Sequence, residues 1–227
     1  MSDGTSGLTA VPVRVWDIWI RLVHWSLVGF VGFSWLTAET GWISLHMISG
    51  LIILALVVFR LAWGLVGSDS ARFAHFLRAP SAAFAHLREW RAREPDHEMT
   101  HNAAGGWMVL AMLGLLLVQA VTGLFSNDDV LARGPLARSV SDETSDLLSG
   151  LHGFTFNLVL AVVGLHVAAV VAYRVFKGQD LVRPMITGIK RLPAAYAASA
   201  PRLAPVWLGA VLLALAAGLS VWLFRLG

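Results

Sequence analysis

No cysteine occurs anywhere in the 227 residues. This excludes a disulfide framework, a thiolate metal site, an iron–sulfur cluster and a covalently attached c-type haem. Charge is scarce as well: Asp, Glu, Lys and Arg make up 14% of the chain, against about a quarter in a soluble domain. Carboxylates are missing from the interior of the long apolar runs. With 57% hydrophobic residues and a mean hydropathy of +0.69, the excess apolar surface has to face lipid. The basic residues flank apolar runs and form no independent stripe, so nucleic-acid binding has no support. The opening stretch MSDGTSGLTAVPVRVW carries no cleavable signal pattern, which leaves the first span to direct insertion.

Five segments reach the length of about 20 apolar residues that a bilayer requires. They are expected near 16–37, 44–66, 105–126, 149–173 and 205–225. Trp16, Trp19, Trp35, Trp42, Trp63, Trp107, Trp207 and Trp222 stand towards their ends, as an interfacial belt does. Thirteen of the 17 basic residues fall on the side of the N-terminus, among them Arg14, Arg21, Arg72, Arg174 and Arg202. Only Arg133, Arg138 and Arg225 fall on the other, beside Asp128, Asp129, Asp142, Glu143 and Asp146. The positive-inside rule then puts the N-terminus in the cytoplasm and the C-terminus in the periplasm. The expected organisation is a cytoplasmic segment 1–15, a bundle 16–190, a cytoplasmic linker 191–204 and an additional helix 205–225. Residues 70–94 mix Phe73, Phe76, Phe84 and Trp90 with arginines and read as an interfacial segment broken at Pro80, with His75 and His86 at the surface.

Four histidines lie inside the apolar runs: His24, His46, His152 and His166. An ionisable side chain in lipid is costly and marks function. His152 and His166 are fourteen residues apart, so on one helix they face the same way about 21 Å apart in depth. His24 and His166 share a depth near the cytoplasmic side, and His46 and His152 share one near the periplasmic side. Two matched pairs read as two bis-histidine haem sites. Zinc is a poor fit, because each depth offers two ligands and no carboxylate. A proton path is disfavoured by the same lack of acids.

Other residues support this reading. Arg60 follows His46 by fourteen residues, which sets it on the same helix face beside the inner pair, where a guanidinium suits a haem propionate. Snorkelling to the interface is its alternative, and Arg21 and Arg174 are weaker candidates for the same job. Gly29, Gly32, Gly50, Gly114, Gly123, Gly153 and Gly164 offer room for a flat macrocycle or for helix packing. The third span has no internal histidine and reads as packing. At its start, His101 and Asn102 are candidates for a quinone or propionate contact, with a helix-start role the favoured reading for Asn102. His97 reads as an interface residue.

WIRLVHW around His24, SLHMISG around His46, HNAAGGWM at the third span and LHGFTFNLVLAVVGLHVAAVVAYR around His152 and His166 resemble the bacterial membrane cytochrome b561 superfamily. The nearest likeness is to the subgroup named for the cytochrome b subunits of nickel-dependent hydrogenases, and it runs from about Val13 to Lys190. The resemblance implies an all-α integral membrane protein: a four-helix dihaem bundle, here with a fifth C-terminal transmembrane helix. It implies two haem b per chain with His24, His46, His152 and His166 as axial ligands. It also implies quinone as exchangeable substrate, with a periplasmic c-type cytochrome or hydrogenase as partner in the bacterial inner membrane. The protein is then an electron-transfer protein or subunit, a quinone oxidoreductase if it acts alone. A superoxide:quinone oxidoreductase and a non-redox histidine-lined transporter or scaffold are the competing readings, and a homo-oligomer is open.

Overall fold

A computed structural model describes residues 10–88, 98–127 and 132–226, apart from the side chains of residues 87 and 195–197. Trp90, Arg91, Arg93, His97, Asp128 and Asp129, used in the sequence reading, lie outside them. Among the described residues, five helices are long and apolar enough to cross a membrane: α1 (Ile18–Glu39), α2 (Ile43–Val66), α5 (Ala103–Phe125), α6 (Asp142–Lys177) and α8 (Val206–Phe224). Short elements lie between them: β1 (Ala10–Arg14), α3 (Phe73–Phe76), α4 (Pro80–Arg88), α7 (Val182–Thr187) and β2 (Ile189–Pro193). The chain is an all-α membrane protein.

Local chemistry sets the helix boundaries. Asp17 caps α1, its carboxylate accepting from Ile20 N over 2.8 Å. Asn102 caps α5, its side chain accepting from Gly105 N over 2.7 Å, so the helix-start role holds for this residue. Helix α6 departs most from its expected span, beginning seven residues earlier and ending four later. Ser141 caps it, Asp142 and Glu143 sit in its first turn and Arg174 and Lys177 in its last, charges that suit the two ends of the helix dipole. The turn from α1 to α2 passes through Gly41 at φ 74°, a left-handed conformation that only glycine adopts without strain.

Helix α2 is the centre of the packing. It meets α1, α5 and α8, and its Val57, Phe59 and Trp63 are fully buried. Helix α8 packs along α2 and also meets α1: a Cβ on Gly209 would sit 2.2 Å from Trp19 Nε1 in α1, so only glycine admits the indole there. Helix α6 packs along α5 and does not pack closely against α1 or α2. A slot therefore runs between the helix carrying His152 and His166 and the two carrying His24 and His46.

One expectation is corrected here. Trp16 and Trp63 belong to the core and not to an aromatic belt, being 7% and 0% exposed, whereas Trp35, Trp42, Trp207 and Trp222 do face outward. The Trp16 and Trp63 indoles belong to one buried cluster at the end of the bundle where α1 begins and α2 finishes. The described end of the expected N-terminal segment is joined to the start of the expected linker. Strand β1 pairs antiparallel with β2, Arg14 opposite Ile189 and Ala10 opposite Pro193. Alternation buries Val13 and Leu192 beneath this ribbon. The rest of the linker is held by Asp69, which receives Arg202 N at 3.0 Å, and by Ser68, which receives Ala204 N at 3.0 Å.

Candidate functional site

The slot brings the four histidines together in two pairs. The rings of His24 and His166 have centroids 6.4 Å apart with planes at 62°. Those of His46 and His152 are 6.2 Å apart with planes at 87°. His24 and His166 lie nearer the end where α1 begins and α6 finishes. His46 and His152 lie nearer the opposite end.

Around the second pair is a cavity of about 270 Å³ whose walls include Ser34, His46, Gly50, Gln119, His152 and Gly153. Both imidazoles are anchored by the same device. His46 donates its Nδ1–H to the carbonyl oxygen of Ser34 (2.9 Å), with Ser34 Oγ 3.1 Å away. His152 donates to the carbonyl oxygen of Gln119 (2.8 Å), with Thr122 Oγ1 at 3.3 Å. Each carbonyl also accepts from a threonine three residues further on, Thr37 in α1 and Thr122 in α5. The Nδ1 bonds fix the tautomer and leave Nε2 unprotonated on both rings. The Gln119 amide lies 3.2 Å from His152 Nε2, and its carbonyl oxygen accepts from Thr155 Oγ1.

The first pair has a different environment. His24 Nδ1 is buried without a hydrogen-bond partner, and its ring stands edge-on to Trp25 at 5.0 Å. Beyond it, His101 is wedged between the rings of Trp16 (4.8 Å) and Phe76 (4.6 Å), its Nδ1 likewise unpartnered. Burial first, then the Arg60 guanidinium and the rings of His166 and His24, lower the His101 imidazole to about 3, so it stays neutral. Arg60 is 6% exposed, its guanidinium enclosed by protein. It reaches the Ala71 carbonyl oxygen at 3.3 Å and lies over the Phe73 ring at 5.2 Å; among the described residues the rest of its donor capacity is unused.

The weaker arginine candidates are engaged elsewhere. Arg21 donates to the Ile186 carbonyl oxygen (2.5 Å) and Arg174 pairs with Asp180 (3.0 Å). His75 is at the surface, as expected, 3.8 Å from Asp69. His86 is not a free surface group: its Nε2 lies 2.8 Å from Tyr173 Oη, which also accepts from Asn102 Nδ2 at 2.5 Å. Sequence reasoning missed Ser34, Thr37, Gln119 and Thr122. The first and third act partly through backbone carbonyls, which leave no residue-type signal. Hydroxyls inside apolar runs were the only trace.

Residues 15–188 match the family model described as prokaryotic cytochrome b561, and the chain belongs to that family. Family membership makes it a membrane electron-transfer protein that binds haem b. No curated protein and no solved structure matches it. The residues fit the cofactor. Two imidazoles sharing one iron at about 2.0 Å have ring centres about 6.3 Å apart, and both pairs stand at that spacing. A Cβ built on Gly50 or Gly153 meets nothing within 4 Å, so the wall of the slot is open where a flat macrocycle needs room.

Proposed function

We propose that the chain conducts electrons across the bacterial inner membrane through two bis-histidine haem b groups. His24 and His166 hold the inner one, and His46 and His152 the outer one. The electrons pass between the quinone pool and a periplasmic partner, a c-type cytochrome or hydrogenase. The observation that carries this is the spacing of two imidazole pairs across a slot that no helix fills. The distribution of Lys and Arg supports a cytoplasmic N-terminus and periplasmic C-terminus.

When bound, haem b supplies one-electron Fe(III)/Fe(II) chemistry. The chain's residues make that chemistry outer-sphere. His46 and His152 commit Nδ1 to carbonyl oxygens and offer Nε2, and two imidazoles holding each group would leave no position for oxygen or another ligand. The fourteen-residue step from His152 to His166 sets the stations about 21 Å apart, dividing the insulating layer into short hops. Arg60, buried and sparsely bonded, supports a propionate of the inner haem. His101, with its unpartnered nitrogen, is the stronger contact for a propionate or quinone carbonyl. Asn102 already spends its side chain on Gly105 and Tyr173.

The test is haem content and a reduced-minus-oxidised spectrum of the purified protein. Two b-type haems per chain are expected. His24→Ala and His166→Ala should remove one spectral component, and His46→Ala and His152→Ala the other. If His24→Ala and His46→Ala deplete the same component, the pairing is wrong.

A further inference from the structure

The two imidazole pairs are alike in spacing and unlike in everything that sets a reduction potential. We infer that the chain is built with its outer couple low and its inner couple high, so that electrons run downhill from the periplasmic face inward. The inference rests on the dihaem reading above and adds the direction that this reading leaves open.

Three observations point the same way. First, both outer imidazoles donate Nδ1–H to a main-chain carbonyl, of Ser34 and of Gln119, at 2.9 and 2.8 Å. Such a bond pushes electron density onto the ring and makes Nε2 a stronger donor. A stronger donor favours Fe(III), the more positive state, and lowers the potential. Among the described residues neither inner imidazole has a hydrogen-bond partner, and His24 Nδ1 is shut away from solvent as well. Those rings are weaker donors and favour Fe(II).

Second, the fixed charges differ. A buried cation, Arg60, belongs to the inner end, where it and both inner rings share His101 as a common neighbour. A buried positive charge penalises Fe(III) and raises the inner potential. Third, the outer cavity is lined by a carboxylate, Glu39, and by no basic residue among those described. Glu39 is exposed, so it adds least, but its sign again lowers the outer couple.

The device at the outer pair is repeated in two helices with little sequence in common. In α1 the shared carbonyl and threonine are Ser34 and Thr37. In α5 they are Gln119 and Thr122. Thr37 and Thr122 are 0% and 4% exposed, so each hydroxyl is held against its carbonyl and cannot swing into water. Ser34 and Gln119 are thus positioning residues for the outer ligands.

Potentiometric titration of the haem-loaded protein in detergent tests the ordering. Two one-electron waves are expected. Arg60→Gln should move the higher wave to lower potential and leave the lower one in place, while Arg60→Lys should keep both. His46→Ala, which retains the inner haem, should show only the higher wave, and His24→Ala only the lower. If the single-haem variants do not fold, the wave moved by Arg60→Gln still identifies the inner couple. Movement of the lower wave, or an outer-only variant titrating above an inner-only one, would overturn the ordering. Protein purified without haem would instead bring down the reading beneath it.

Discussion

Trp63 donates its indole N–H to Asp17 Oδ2 over 3.0 Å, joining the last turns of α2 to the first turn of α1. Both side chains are buried, and the other oxygen of the same carboxylate caps α1. Asp17 also exerts a favourable pull on the Arg60 guanidinium. One carboxylate thus serves a cap, an indole and a buried cation. Asp17→Ala should cost about 2–4 kcal/mol, combining a lost cap with a lost charge-assisted bond. Thermal unfolding of the detergent-solubilised protein measures it, and Asp17→Asn should retain most of the cap.

Gly123 bears on haem retention. A Cβ there would sit 2.9 Å from His152 Cε1 and 3.2 Å from its Nδ1. Gly123→Ala should therefore push the imidazole off the Gln119 carbonyl and lower occupancy of the outer site. Haem content per chain should fall towards one, with the component lost also in His46→Ala.

The ring planes predict a spectroscopic difference. Held by imidazoles crossed at 87°, a low-spin ferric iron would keep the two d orbitals that share its three upper electrons nearly degenerate, whereas rings at 62° would split them further. In the ferric protein the component lost in His152→Ala should have its low-field EPR feature at the larger g value. A larger g value for the component lost in His166→Ala would contradict the geometry.

Tyr173 fastens the interfacial helix α4 to the bundle through His86 and Asn102. Tyr173→Phe removes two hydrogen bonds, each worth about 0.5–1.5 kcal/mol net. Hydrogen exchange should quicken in residues 80–88 while the haem spectrum stays unchanged.

Acid should release the linker ahead of α8. Burial works to raise the Asp69 carboxyl, but the Arg202 backbone N–H and the Arg72 guanidinium outweigh it and hold it below the ordinary range. A group with a lowered folded value stabilises above its unfolded value, roughly pH 4, and loses that contribution as pH falls through the folded one. Proteolysis between residues 198 and 205 should accelerate below about pH 4, and Asp69→Asn should be susceptible at neutral pH.

The site was legible to the degree that it depends on side-chain identity. Imidazoles in apolar runs stand out because lipid makes them expensive, and the helical rise turns their spacing into depth. Arg60 stands out for the same reason, a cation in an apolar run that the structure buries. Trp16 and Trp63 misled because tryptophan suits a membrane interface and a packed core equally, and only the acceptor on Asp17 decides for Trp63. His86 looked like a surface group because its partner Tyr173 is 87 residues away. The β1–β2 ribbon left no trace, since two five-residue strands far apart in sequence give no local periodicity to read.

That ribbon also constrains the order of assembly. Strand β1 is made first but finds its partner only after four membrane helices have followed it off the ribosome. Until Ile189 emerges, the end of the bundle where α1 begins has no lid of paired backbone. That end of the bundle is therefore closed late, when the two strands of the ribbon meet.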